Sequence, residues 1–109
     1  MSRAKGDYAE ERGCEYLASL GFTIIERNFY SRFGEIDIIA TKDGVLHFIE
    51  VKSGEEYELA VQNITPRKLS RLFKTGNTYL KKKALDLSYC YDALLVMPTE
   101  VELLENITL

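Results

Sequence analysis

A chain of 109 residues with 46% hydrophobic and 28% charged residues has room for one modest core, which points to a single small globular domain over residues 1–109. It contains no apolar run long enough to cross a membrane, and its first residues are too polar for a secretory leader, so a cytoplasmic protein with no membrane partner is expected. The net charge of -3 argues mildly against nucleic acid. Cys14, Cys90 and a single histidine form no zinc-ligand or redox spacing, so both thiols are expected reduced and buried.

In chain order, Ser2 to about Leu20 reads as a helix, with Ala9, Gly13, Tyr16, Leu17 and Leu20 on one stripe. Glu10 shares a line with Gly13 and Leu17 and points partly toward the core, whereas Glu11 points to solvent. Two readings of Glu10 stand side by side. It complements the helix dipole or pairs with Arg3 or Lys5, or it is a functional carboxylate held at the sheet. Gly21 caps the helix. Phe22 to Tyr30 then reads as a strand with Ile24 and Ile25 inside it. Arg27 and Arg32, near its far end, are either phosphate contacts or solvated rim charges.

Gly34 to Lys52 is the centre of the chain. Two apolar runs flank Lys42-Asp43-Gly44, the signature of a β-hairpin. Residues two apart share a strand face, so Glu35 should point with Asp37, and Glu50 with Lys52, Leu46 and Phe48. Both faces are largely apolar, which places the hairpin in the middle of a sheet covered on both sides. Charges at the end of a covered strand need partners or a metal. One carboxylate two residues before a lysine, with another on the neighbouring strand, is a divalent-metal pattern. His47, alone on an apolar strand face, reads as packing.

Ser53 to Ile64 has no period and is expected to be a mobile loop. Thr65-Pro66 opens a second helix, Thr as N-cap and Pro at N1, running to about Leu85. Leu69, Leu72, Phe73, Gly76, Tyr79 and Leu80 form its apolar face. Arg67, Arg71, Lys74, Lys81 and Lys82 cluster opposite, with Lys68 at the boundary. A charged outer face is ordinary, but one of a single sign also suits phosphate. Thr65 to Lys83 carries seven basic and no acidic residues, and Ala84 to Leu109 five acidic and no basic ones, an asymmetry that leaves a basic patch on an acidic protein. Ser88 to Met97 is a fourth strand, and Glu100 to Leu109 an alternating edge strand. The order α-β-β-β-α-β plus an edge strand predicts an α/β fold, a mixed sheet with a helix on each face, in which the second helix crosses over to a parallel strand.

Asp37 followed on the next strand by Glu50-Val51-Lys52 resembles the PD-(D/E)xK nuclease motif, and Glu10 and the element order are similar to that superfamily, which has a restriction-endonuclease-like core. More closely, the chain resembles the YraN-like family of small bacterial proteins, predicted endonucleases related to Holliday junction resolvases. The likeness rests on Gly6, Ala9-Glu10, Tyr16-Leu17, Gly21-Phe22, Arg27-Asn28, Gly34-Glu35-Ile36-Asp37-Ile38-Ile39-Ala40, Phe48-Ile49-Glu50-Val51-Lys52, Lys68 and Tyr91-Asp92. It departs at Ile36, where the motif name has Pro, at Ala9, where the family commonly has Gly, and at Ser53-Gly54-Glu55, where a basic residue is usual.

The resemblance implies a nuclease cutting phosphodiester bonds of nucleic acid, DNA above all, with Mg²⁺ or Mn²⁺ held by Asp37, Glu50, the Val51 carbonyl and Glu10. Lys52 would orient water or stabilise phosphate charge, and Glu35 would pair with Lys52 or a basic helix residue or support the site from behind. Lys68, Arg67, Arg71, Lys74, Arg27 and Arg32 are the expected nucleic-acid contacts. Related nucleases often act as dimers, so a homodimer is one implied arrangement. Two other classes compete: a nuclease-fold nucleic-acid-binding module without useful turnover, and a structural or interaction protein in which Glu35, Asp37, Glu50 and Lys52 form a buried charge network.

Overall fold

The computed structural model describes residues 3–107, with side chains from residue 7 onward. The predicted helix start at Ser2 and the last two residues of the predicted edge strand lie outside this range, and the side chains of the candidate partners Arg3 and Lys5 lie outside the described ones. The first helix, α1 (Arg3–Ser19), ends where Gly21 takes φ +95°. There the Phe22 N–H donates to Leu17 O at 3.1 Å and the Gly21 N–H to Ala18 O at 3.1 Å, a Schellman cap that delivers Phe22 onto Leu17. The strands β1 (Thr23–Ser31), β2 (Gly34–Lys42) and β3 (Val45–Ser53) follow. Asp43 and Gly44 have φ of 51° and 78°, so the β2–β3 turn is the left-handed two-residue type that matches strand twist.

The chain continues with a short helix α2 (Tyr57–Val61), a long helix α3 (Pro66–Lys83) and the strands β4 (Ser88–Val96) and β5 (Val101–Leu104). The strands form one sheet in the order β1-β2-β3-β4-β5. β3 and β4 are parallel and the other neighbours antiparallel, as a crossover through α3 requires. This is a mixed α/β sheet covered by a helix on each face, compatible with a restriction-endonuclease-like core. Beneath α1, Ala9 and Leu17 pack on Ile38, Ala40, Ile49, Val51 and Leu94. Beneath α3, Leu72 and Tyr79 pack on Phe29, Ile39, Leu46, Phe48 and Tyr91. Each of these large side chains contributes about 1.5–3 kcal/mol by leaving water. The Tyr79 ring meets those of Phe29 and Phe48 edge-on. Thr65 accepts the Lys68 N–H at 3.2 Å, the predicted N-cap. No helix among the described residues is long and apolar enough to cross a membrane.

Four expectations need correction. Residues 53–64 are not a featureless mobile loop. Ala60 is fully buried against Leu95 and Met97, with Val61 and Ile64 packed beside it, so α2 is pinned to the sheet; five residues are too few to show a period. Ile25 lies inside β1 as expected, and it is 49% exposed where the β1–β2 register slips between Ile24 and Glu26. The edge strand stops at Leu104, since the chain turns at Asn106 (φ 54°), where the Asn106 N–H reaches Asp92 and the Ile107 N–H reaches Tyr91 O. Leu20 lies beyond the helix in the cap and is 39% exposed. Finally, both cysteines are free thiols but only half-buried.

Candidate functional site

The β2–β3 ladder runs from Lys42↔Val45 to Ile38↔Ile49 and stops, although both strands continue. Unbroken register would place Asp37 opposite Glu50. Instead, Asp37 Oδ2 accepts the Val51 N–H at 2.8 Å, so a side chain replaces a ladder bond. On the other flank, β1 pairs Arg27 with Ile38 and Phe29 with Ile36, while Asn28, opposite Asp37, takes φ 55°. Ile36 joins the core under α3 and Ile38 the core under α1. Strict alternation would have put these two isoleucines on one face, so the period predicted for Glu35 and Asp37 slips at this point. The sheet opens here, and a side chain at the opening is reached from both layers.

That geometry explains the lining of the cleft, about 370 Å³ in volume: Glu10 from α1, Glu35 and Asp37 from β2, Glu50, Val51 and Lys52 from β3, and Lys68, Arg71 and Leu72 from α3, with Gly34 at the hairpin base. Every residue predicted as a metal ligand or catalytic group therefore lines one cavity. Glu50 Oε1 pairs with Lys52 Nζ at 3.1 Å. Glu10 Oε1 stands 3.7 Å from Arg27 Nη2, and its carboxylate also takes a hydrogen bond from Asn28. Among the described residues, the buried side-chain polar atoms with no hydrogen-bond partner are Glu10 Oε1 and Glu50 Oε2, and both belong to this cleft. An orphaned buried carboxylate oxygen is costly, so it marks a place built for something else.

The electrostatics agree. Burial pushes the Asp37 carboxyl up to about 8, with Glu10, Glu50 and Glu35 adding repulsion and the Val51 N–H pulling the other way. Glu10 is also raised, chiefly by burial, while Arg27 and a hydrogen bond from Asn28 oppose the shift. Carboxylates that crowd together without a neutralising cation hold protons they would lose in water.

The predicted nucleic-acid contacts divide. Lys68 and Arg71 form the cationic wall facing the carboxylates. Arg32 and Lys74 line a neighbouring cleft with Phe33, Asn77, Thr78 and Lys81, and both cations stack on the Phe33 ring, at 4.8 and 5.6 Å from its centre. Arg67 is exposed on α3 outside both linings. Arg27 faces α1, bonded to Glu11 at 3.0 Å and close to Glu10, so its charge is largely engaged within the protein. Sequence reasoning did not find the roles of Asn28, Gly34 and Leu72. The positive φ of Asn28 is the one feature a sequence could have signalled, through an Asn inside a strand.

Fold and cleft together define a small α/β domain with a carboxylate cluster at the open end of its central hairpin, walled by cations from the crossover helix. The chain belongs to the uncharacterised protein family UPF0102, whose model matches residues 9–96, a span holding the whole cleft. This is the YraN-like family of the sequence reading. The chain is 62% identical to a UPF0102 protein of Sulfurimonas denitrificans over the full length of both. It is 59% identical, again over both full lengths, to one of Wolinella succinogenes. With one of Helicobacter pylori it shares 58% identity over 97% of this chain and 92% of that one.

Proposed function

We propose that this protein is a Mg²⁺- or Mn²⁺-dependent endonuclease of the PD-(D/E)xK type, hydrolysing phosphodiester bonds of nucleic acid in the bacterial cytoplasm, with branched DNA first among the substrates to try. The observation that carries the reading is the pair of buried oxygens without a hydrogen-bond partner, Glu10 Oε1 and Glu50 Oε2, beside a carboxyl group held up to about 8. An all-oxygen, strongly anionic donor set of this kind fits a hard divalent cation. Asp37, Glu50 and the Val51 carbonyl would hold it, with Glu10 as a further donor. Such an ion, when bound, neutralises phosphate charge and acidifies its water.

The protein's own groups do the remainder. Lys52, tied to Glu50, keeps an ammonium at the cleft where a phosphate oxygen gains charge. Lys68 and Arg71 bind the phosphates on either side of the cut, and Arg32, Lys74 and Phe33 extend the track with cations and a ring for a base to stack on. A homodimer would offer one cleft to each strand of a duplex. That second, cationic cleft also favours an alternative, a binding module that grips nucleic acid without metal. The deciding experiment is a Mn²⁺ titration of wild type and Asp37→Asn followed by NMR. Line broadening centred on Glu50 to Lys52, absent in the variant, followed by metal-dependent cleavage of branched, duplex or single-stranded DNA, is expected. Salt-sensitive binding with neither broadening nor cleavage would replace the nuclease by the binding module.

A further inference from the structure

A second cluster of metal-binding side chains lies outside the carboxylate cleft and plays no part in the proposed reaction. β3 and β4 pair in parallel with His47 directly opposite Cys90, and Asp92 follows two residues on, pointing to the same face. His47 Nδ1 is 2.5 Å from Asp92 Oδ2 and 3.1 Å from Cys90 Sγ, and Cys90 Sγ is 3.5 Å from Asp92 Oδ1. Asp92 is fully buried and His47 nearly so. The ligand atoms of these three side chains all lie within 4.8 Å of one another.

Two chemistries draw on Cys, His and Asp, and the geometry separates them. A nucleophilic relay uses both imidazole nitrogens, one toward the carboxylate and the other toward the thiol. Here thiol and carboxylate meet the same nitrogen, so no relay exists. The thiol is moreover pushed up to about 12, by burial first and then by Asp92 and Glu105, which makes it a poor nucleophile. Three donors that converge on one point are instead a ligand set. Tetrahedral zinc, with bonds of about 2.0–2.3 Å, needs its ligand atoms about 3.3–3.8 Å apart. The two sulfur distances, to His47 Nδ1 and to Asp92 Oδ1, are already close to that, and His47 has to give up its hydrogen bond to Asp92 Oδ2.

We infer that His47 Nδ1, Cys90 Sγ and an Asp92 carboxylate oxygen form a binding site for a thiolate-seeking divalent transition metal of the zinc class. Binding releases the thiol proton to solvent and moves the imidazole proton from Nδ1 to Nε2, leaving thiolate, neutral imidazole and carboxylate as ligands. Solvent takes the fourth position from a cleft of about 390 Å³ lined by Lys42, Asp43, Glu105 and Asn106. Asp92 Oδ1 also accepts the Asn106 N–H at 2.9 Å, so the ion would tie the C-terminal turn to the middle of the sheet. The site differs from the carboxylate cleft in donor softness and in position, toward the turn end of β3 and under the α1 face.

The test is Co²⁺ titration of the reduced full chain, read by thiolate-to-cobalt charge-transfer absorption, which all-oxygen sites do not give. One equivalent should produce the band. Cys90→Ala and His47→Gln should abolish it, Cys14→Ala and Asp37→Asn should keep it, and Zn²⁺ should displace it while shielding Cys90 from a thiol reagent. No band in folded wild type at millimolar Co²⁺ overturns the inference, as does a band that survives Cys90→Ala or disappears with Cys14→Ala. The wild-type arm stands even if a variant fails to fold.

Discussion

Replacing Asp37 by Asn separates a ligand site from a structural charge network. Asn keeps the shape and can still accept the Val51 N–H, so the only large change is electrostatic. The groups facing Asp37 are Glu10 from α1, with Arg27 of β1 behind it, Glu35 on its own strand, Glu50 and Lys52 from β3, and Lys68 and Arg71 from α3. The carboxyl rises from 3.8 to about 8 on folding. The folded state therefore holds a proton that the unfolded chain has lost, and stability present below pH 4 drains away as pH rises toward 8. At about 1.4 kcal/mol per pH unit the ceiling is roughly 6 kcal/mol. The cleft opens to solvent and contains cations, so about 1–3 kcal/mol is the expected size. Without divalent metal at pH 8, the variant should melt about 4–12 °C above wild type, with the gap closing toward pH 4. Mn²⁺ should raise wild type and leave the variant nearly unmoved. A variant that melts several degrees below wild type at every pH would refute the reasoning and make Asp37 part of a structural ion network.

Three further outcomes follow from the same geometry. Lys52→Ala should cut metal-dependent cleavage at least about 100-fold while leaving substrate binding within a few-fold, in single-turnover assays with labelled DNA. Lys68→Ala and Arg71→Ala should each lower the salt slope of nucleic-acid binding by about 0.7–0.9, as read by fluorescence anisotropy across salt concentrations. Gly76→Ala should destabilise by about 1–3 kcal/mol in urea melts, because a Cβ there would lie 2.7 Å from Cε1 of Tyr91 and closer still to its hydroxyl; adding Tyr91→Phe should restore part of the loss.

Strand order, crossover and hairpin were legible because each rests on a local signal. Thr65-Pro66 opens a helix, Asp43-Gly44 turns a hairpin, and β-branched runs mark the strands. The motif carboxylates were legible for a similar reason, since charge inside an apolar run stands out. What escaped notice depends on register. The slip that sends Ile36 and Ile38 to opposite layers is decided by Asn28 on one side and Val51 on the other, and no single strand records it. His47 looked like packing because Cys90, its neighbour, is 43 residues away and comes alongside only through parallel pairing. The burial of Ala60 was invisible because Leu95 and Met97, which cover it, lie beyond α3.

The parting of β2 from β3 at Asp37 has a consequence for how the molecule comes apart. Elsewhere the two helical layers are insulated from one another by the sheet, each with its own core. Among the described residues, groups from α1 and α3 line a common space at this opening, where Glu10 of α1 joins the anions of β2 and β3 and Lys68 and Arg71 of α3 face them. On the proposed reading, mutual repulsion in the ligand-free cleft would act as a wedge, and a bound cation and phosphate would act as a rivet through all three layers. Ligand would therefore do more than raise the melting point. It would fuse two foldons into one, and amide exchange along α1 and α3, independent in the free protein, should slow in step once both partners are bound.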